Sequence, residues 1–205
     1  MADPGSPLLE EDLDPDPLTQ FDRWFGEAAA VMAEPEAMAL ASAGPDGGPS
    51  VRMVLLKGRD PSGFVFHTNY GSRKAGELDT NPRAALLFHW APLGRQVRIE
   101  GPVGRTTAAE SDRYFASRPR GGQIGAHASR QSRPVASRAV LDAQVAEATD
   151  RFGSGEVPRP AGWGGYRLRP DSFEFWQHRP DRLHDRLLYR PSSRGSGWTV
   201  VRLQP

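Results

Sequence analysis

Residues 83–103 read "RAALLFHWAPLGRQVRIEGPV". The first eight, 83–90, have strand character, and 95–103 resume it: Val97, Ile99 and Gly101 alternate with Gln96, Arg98 and Glu100. A period of two belongs to a half-buried strand, so one face of this segment packs while the other meets polar surroundings. The remainder of the chain has to supply the partners of such a strand and whatever lies against its polar face.

Upstream, short apolar runs alternate with turn signals. "MALASA" (38–43), "GPDGG" (44–48), "SVRMVLLK" (50–57), "DPSG" (60–63) and "FVFHTN" (64–69) predict strands joined by hairpins. Downstream, "GGYRLRP" (164–170), "SFEFWQ" (172–177), "RLLYR" (186–190) and "GWTVVRL" (197–203) predict four more. Leu18, Phe21, Phe25, Ala28, Ala29 and Met32 recur at helical spacing behind Pro17, which suits a first turn. Ser72 caps a second helical run that stops at Pro82, and 108–119 and 137–152 predict two more. The last of these places Val140, Leu141, Val145 and Ala148 on one stripe. "RGGQIGAHASRQSR" (120–133) is too rich in glycine, serine and arginine for a core element. These runs predict a mainly β (α+β) chain, a barrel or sandwich with peripheral helices. Residues 1–16, "MADPGSPLLEEDLDPD", are acidic, proline-rich and aperiodic, and predict a flexible arm before a single domain over 17–205.

Composition narrows the chemistry. In 205 residues the formal net charge is +1, so no global field draws nucleic acid or an anionic membrane, and any anion site is local. With no cysteine there is neither disulfide nor thiolate chemistry. No apolar run is long enough to span a bilayer and the N-terminus lacks a secretory pattern, so a cytoplasmic protein is expected. Histidines 67, 89, 127, 178 and 184 show no ligand spacing, and no metal is expected. There is no GxSxG elbow, Walker loop or GxGxxG. What remains is a series of basic clusters beside hydroxyls and amides: "VRMVLLK", "SRK", "RQV", "SRPR", "RQSR" and "RLHDR". A phosphate dianion is held by converging arginine forks, lysine charge and hydroxyls. Any one cluster by itself more often marks a solvated surface.

Taken in order, "RMVLLK" (52–57), "GSRKAGEL" (71–78), "NPRAALLFHW" (81–90), "RQVRIEG" (95–101), "YFASRPRGGQIGAHASRQS" (114–132), "WGGYRL" (163–168), "EFWQ" (174–177), "RLHDRLLY" (182–189) and "RLQP" (202–205) resemble the pyridoxine (pyridoxamine) 5′-phosphate oxidase family. The resemblance implies a split β-barrel homodimer with FMN at the subunit interface. It also implies oxidation of pyridoxine or pyridoxamine phosphate to pyridoxal phosphate by O2, with H2O2 as by-product and hydride transfer from substrate C4′ to flavin N5.

By the same resemblance Arg52, Arg73, Lys74 and Ser132 hold the FMN phosphate, and Gln96 and Gln131 meet the flavin edge. The strand from Arg52 through Met53, Val54, Leu55 and Leu56 to Lys57, with His67, Thr68, Trp176 and Arg186, completes the cofactor set. Lys57, Tyr114 and Arg118 match the substrate-phosphate ligands, and Gly122 stands where the family has a serine. Arg182 and His184 are the catalytic matches, over the substrate ring. If 182–186 is extended, residues 182, 184 and 186 share a face. Other departures are His127 where an aromatic tryptophan is common, His89 where a proline is common, the "HRPD" turn (178–181), and the acidic arm. A related oxidase of the phenazine-biosynthesis type, or a flavin- or pyridoxal-phosphate-binding protein without turnover, are the alternatives.

Overall fold

The computed structural model describes residues 7–193 and 195–205. The strands are β1 (Ala37–Ala43), β2 (Pro49–Leu55), β3 (Gly58–Asp60), β4 (Gly63–Asn69), β5 (Arg83–Trp90), β6 (Arg95–Arg105), β7 (Trp163–Leu168), β8 (Ser172–Gln177), β9 (Asp185–Pro191) and β10 (Trp198–Arg202). The helices are α1 (Pro17–Ala29), α2 (Arg73–Thr80), α3 (Ala108–Ser117), α4 (Arg120–Ala128) and α5 (Arg138–Phe152).

All strand pairs are antiparallel, in the order β10-β9-β8-β6-β5-β1-β2, with a branch in which β7 links β6 to β4 and β4 pairs β3. The long strand β6 belongs to both parts. Its first half pairs β5 and β8, with Gln96 opposite both His89 and Trp176; its end pairs β7 through Val103 and Arg105. The result is a split β-barrel with helices outside it. Inward residues of β6, Val97 and Ile99, are buried beside Leu86 and Phe88 of β5, while Gln96, Arg98 and Glu100 turn outward as their alternation predicts. Helix α1 closes the barrel: Asp16 caps it, Pro17 opens it, and Phe21 lies edge-on to Phe64 and Phe88 at 5.0 Å from each. Trp24 meets Phe175 edge-on at 5.1 Å, and the Arg95 guanidinium lies over its indole at 4.3 Å.

Three expectations need correction. The described part of the N-terminal arm, residues 7–16, is packed rather than loose: Leu8 is buried in the main core and the Tyr189 hydroxyl donates to the Asp14 carbonyl. Glu10 has a basic partner on the barrel, Arg202, which composition by itself does not reveal; residues 1–6 of that arm lie outside the described residues. The glycine-rich 120–128 is a helix, because Ile124 and Ala128 bury against Phe115 and Trp163, and that burial outweighs the propensity cost of glycine. In α5 the predicted stripe is not buried: Val140 and Val145 stay exposed and only Ala148 is covered.

Gly101 marks the place where β6 changes partners. A Cβ there would run into the Arg169 carbonyl, with the carbonyl carbon at 2.9 Å and Asp171 N at 3.2 Å. Those are backbone atoms, locked by Arg169 N–H to Pro102 O and Asp171 N–H to Glu100 O. Gly101→Ala is expected to cost about 3 kcal/mol through overpacking, lowering Tm by roughly 6–12 °C at this chain length. Calorimetry showing an unchanged Tm would mean that the crossing strand yields freely.

Candidate active site

The N-terminus of α2 gathers the first group of charges. Ser72 caps the helix, so Arg73 and Lys74 occupy its first turn. Lys74 is buried, and its Nζ donates to Thr68 Oγ1 at 3.1 Å and to Gln131 Oε1 at 3.2 Å. Both acceptors are neutral. Burial, followed by the nearby charge of Arg52, holds the lysine pKa below its ordinary value despite the opposing pull of Glu77. An ammonium so placed gains from an anion.

Arg52 projects from the edge strand β2 toward the same helix. Its guanidinium donates to Leu40 O, Ser42 Oγ, Ser50 Oγ and Glu77 Oε2. Glu77, one turn beyond Arg73, is the acceptor that ties this group together. Oε2 also takes Ser42 Oγ–H and Ser50 Oγ–H at 2.6 Å each, and Oε1 takes Arg73 Nε–H at 2.8 Å. Burial opposes its ionisation, yet the bonds from Ser42, Ser50, Arg73 and Arg52 prevail and bring its pKa to about 2. Glu77 was not among the residues singled out from the sequence, although its i, i+4 spacing from Arg73 is a legible sign. Ser132, with φ 69°, lines one recess together with Arg73.

Beside this group opens a cleft of about 330 Å³, within the range of small-molecule sites. Met53, Val54 and Leu55 form one wall; Thr68, Lys74 and Gln131 form another; Lys57, His67, Tyr114, Arg118 and Trp163 complete it. Leu56 is buried in the core instead. His67 stacks on Tyr114 at 4.0 Å and on Trp163 at 5.2 Å, and the Arg118 guanidinium lies over the Trp163 ring at 4.7 Å. Burial, then the charge of Arg118, lowers the His67 pKa to about 4, with Lys57 adding to the effect against Glu110, so the imidazole is neutral near pH 7. His67 Nδ1 and Arg118 Nη1 are buried without a hydrogen-bond partner among the described residues. A Cβ at Gly122 would stand 3.2 Å from Arg118 Nη2 and 3.5 Å from Cζ, so glycine gives the guanidinium room against α4. Trp163 is a second residue that the sequence reading left without a role.

The other predicted residues lie elsewhere on the chain. Gln96, Trp176 and Arg186 stand in one row across β6, β8 and β9. They are on the outward face, whereas Arg52, opposite the buried Leu40, is on the inward one. Strands β5 and β1 separate β6 from β2, a span of about 14 Å at ordinary strand spacing. Arg186 donates Nε–H to the buried Glu174 at 2.7 Å and Nη1–H to Gln204 O. His184 reaches Trp176 at 4.6 Å between ring centres, and its Nδ1 accepts Arg179 N–H. The extended geometry considered for 182–186 is not found. Pro180–Arg182 form a 3₁₀ turn, Asp181 and Arg182 have φ of 57° and 62°, and β9 starts only at Asp185. The "HRPD" turn therefore sets the direction of Arg182, and period two does not.

Among known families, the chain matches the model described as pyridoxamine 5′-phosphate oxidase over residues 25–152. It also matches the pyridoxine 5′-phosphate oxidase C-terminal dimerisation region over 163–205. The pyridoxine/pyridoxamine 5′-phosphate oxidase of Rubrobacter xylanophilus is 60% identical over 199 residues, covering 97% of this chain and 91% of that protein. The protein of the same name from Burkholderia cenocepacia is 60% identical over 200 residues, covering 97% and 93%. Among solved structures, PhzG from Burkholderia lata, in complex with tetrahydrophenazine-1-carboxylic acid, is 34% identical with a TM-score of 0.90, covering 99% of this chain and all of that one. A pyridoxamine 5′-phosphate oxidase-related, FMN-binding protein of Nostoc punctiforme shares the fold at 14% identity, with a TM-score of 0.75 and 94% of this chain covered.

Glu77 supplies a test of the charge arrangement. Its folded pKa lies below the unfolded value, so its contribution is complete above about pH 4.5 and is lost as pH falls from there through about 2. Glu77→Gln is expected to be less stable than wild type at pH 7 and to show a flatter fall in stability over that window. Urea titrations at pH 7, 4 and 3 check this; parallel curves for the two proteins would show that Glu77 carries no such linkage.

Proposed function

Because the chain belongs to the pyridoxamine 5′-phosphate oxidase family, we propose that it is an FMN-dependent oxidase converting pyridoxine or pyridoxamine 5′-phosphate to pyridoxal 5′-phosphate, working as a homodimer. The observation that carries the reading is a cleft lined by cations from two places: Lys74, with the charge of Arg52 close by and Arg73 beside it on α2, and Lys57 with Arg118. A cofactor and a substrate that each bear a phosphate require two such places. The donor set fits FMN, with a buried lysine that lacks an anion, two guanidinium groups held by one carboxylate, and Ser132 in the adjoining recess.

When bound, FMN would supply the hydride acceptor and the route for two electrons to O2, which with the proton lost from the substrate hydroxyl or amine gives H2O2; the amine substrate also takes up water and releases ammonia. The protein contributes position and charge. Lys57, Tyr114 and Arg118 hold the substrate phosphate, and neutral His67 keeps the Tyr114 ring in its stack without adding positive charge. Nδ1 of His184 accepts the Arg179 backbone N–H, which leaves Nε2 as the nitrogen that carries a proton and faces away from that bond. His184 therefore offers a donor, not a base, to the oxygen or nitrogen on C4′, beside the Arg182 guanidinium. Trp176 and Arg186 are on the outward face, His184 lies against Trp176, and all three share the dimerisation region with Arg182; in this reading the four serve the cleft of the second copy.

The PhzG likeness favours a second reading, an oxidase of a tricyclic carboxylic acid. In that reading Lys57 and Arg118 meet a carboxylate. The test is to purify the protein, record its flavin spectrum, and follow peroxide and aldehyde in air with each phosphate ester and, separately, with a tetrahydrophenazine carboxylic acid. Turnover of the esters supports the proposal; turnover of the tricyclic acid alone replaces it, and a yellow protein inert to both removes oxidase activity.

Two variants probe the shared site. Arg182→Leu and Lys57→Ala should each bind FMN and turn over less than about 1% as fast as wild type, in the range of lost charge stabilisation. Unfolding and refolding them together at equal amounts should restore about a quarter of wild-type activity, since half the dimers then own one intact site. A mixture as inactive as its components would place both residues on one protomer's site.

A further inference from the structure

Asp185 begins β9 between His184 and Arg186, and its carboxylate points away from both, into a knot at the chain's N-terminal segment. Oδ2 accepts Leu8 N–H at 3.0 Å, Oδ1 accepts Arg202 Nη1–H at 2.6 Å, and Arg179 Nε lies 3.7 Å away. Arg202 also donates to both Glu10 carboxylate oxygens, at 2.9 and 2.8 Å, and to Leu8 O at 2.8 Å. Leu8 is buried in the main core, which anchors the strap apolarly as well. Residues 8–10 and β10 are thereby clamped onto the base of the loop joining β8 to β9. Arg179, at the other end of that loop, reaches back twice: through its backbone N–H to His184 Nδ1 and through its side chain to Asp185. Within the loop, Asp181 and Arg182 have positive φ, which side-chain-bearing residues keep only when their surroundings impose it.

We propose that Glu10, Arg202 and Asp185 are positioning residues, through which the N-terminal strap fixes the loop that presents Arg182 and the His184 donor. The inference rests on the reading that these two residues face the substrate. The strap touches neither the cleft nor the cofactor group, so its loss misplaces the loop and leaves cofactor binding intact.

In the holoenzyme, Arg202→Met should lower kcat/KM roughly ten- to hundredfold, as misplacement of a reacting group does, with most of the loss in kcat and with the FMN Kd within about twofold of wild type. Arg202→Lys should recover part of it. Glu10→Ala, on the exposed side of the pair, should lose less in the same sense while the protein stays folded. Nitrogen-15 NMR of labelled histidine supplies a readout apart from turnover: His184 should show the Nε2–H tautomer in wild type and a mixture in Arg202→Met. Unchanged kcat/KM and an unchanged His184 signal in both variants would overturn the proposal, as would losses of FMN affinity and Tm that match the loss of rate. Should wild type prove inactive on the phosphate esters, the functional reading falls, and the tautomer comparison still decides whether the strap holds the loop.

Discussion

One strand, β6, hydrogen-bonds to three others, and the positions of both candidate residue groups follow from it. Its outward residues must be polar or partnered because its inward ones, Val97 and Ile99, already fill the core. At Gly101 the strand passes so close to the connector at Arg169–Asp171 that only hydrogen fits. That passage lets the strand leave β8 and take up β7, which in turn carries β4 and the cleft-lining residues His67 and Thr68. The cleft and the outward row of Gln96, Trp176 and Arg186 are thus two consequences of one strand changing partners.

Charge is arranged around this frame by a different rule. Like charges brought together in a partly buried space repel unless something neutralises them. At the α2 end, Glu77 neutralises Arg52 and Arg73 and gives their forks a direction. Lys74 receives only neutral acceptors, and its lowered pKa registers the anion-binding capacity left over. At the other end Lys57 has Glu36 at 3.9 Å, while Arg118 rests on the Trp163 face with one nitrogen unpartnered. A neutral His67, within reach of both charges, avoids adding a further cation.

How much of this the sequence disclosed depended on the range of the forces involved. Alternation in 95–103, the Ser72 cap and Pro17 are local signals, and each yields the element it predicts. The helix at 120–128 is not legible locally because Ile124 and Ala128 bury into a cluster with the preceding helix's Phe115 and with Trp163, far along the chain. The same holds for residues 7–16, where Glu10 finds Arg202 some 190 positions later. Basic clusters were visible as composition. Their sorting into a cleft group and an outward group was not, since it depends on strand order and on which face each register selects. Glu77 shows the intermediate case: its pairing with Arg73 is local, but its bonds to Ser42, Ser50 and Arg52 need the β1–β2 hairpin to be folded against α2.

The division of residues between two faces also bears on why the dimerisation region contains the loop that carries Arg182 and His184. Residues 163–205 contain β7 to β10, and with them Trp176, Arg182, His184 and Arg186. On the outward face the small side chains Ala39 and Ala41 of β1 adjoin the exposed Val51 and Met53 of β2. Such a surface is too apolar to stand in water without cost, and it flanks the polar row on β6 and β8. A second copy laid on this face would cover the apolar strip, and under the proposed function the same step brings its outward row toward the cleft at the β2 edge. Under the proposed function, association and completion of the site are then a single event, and a chain that fails to pair keeps the cations of its cleft without the residues proposed to face the substrate.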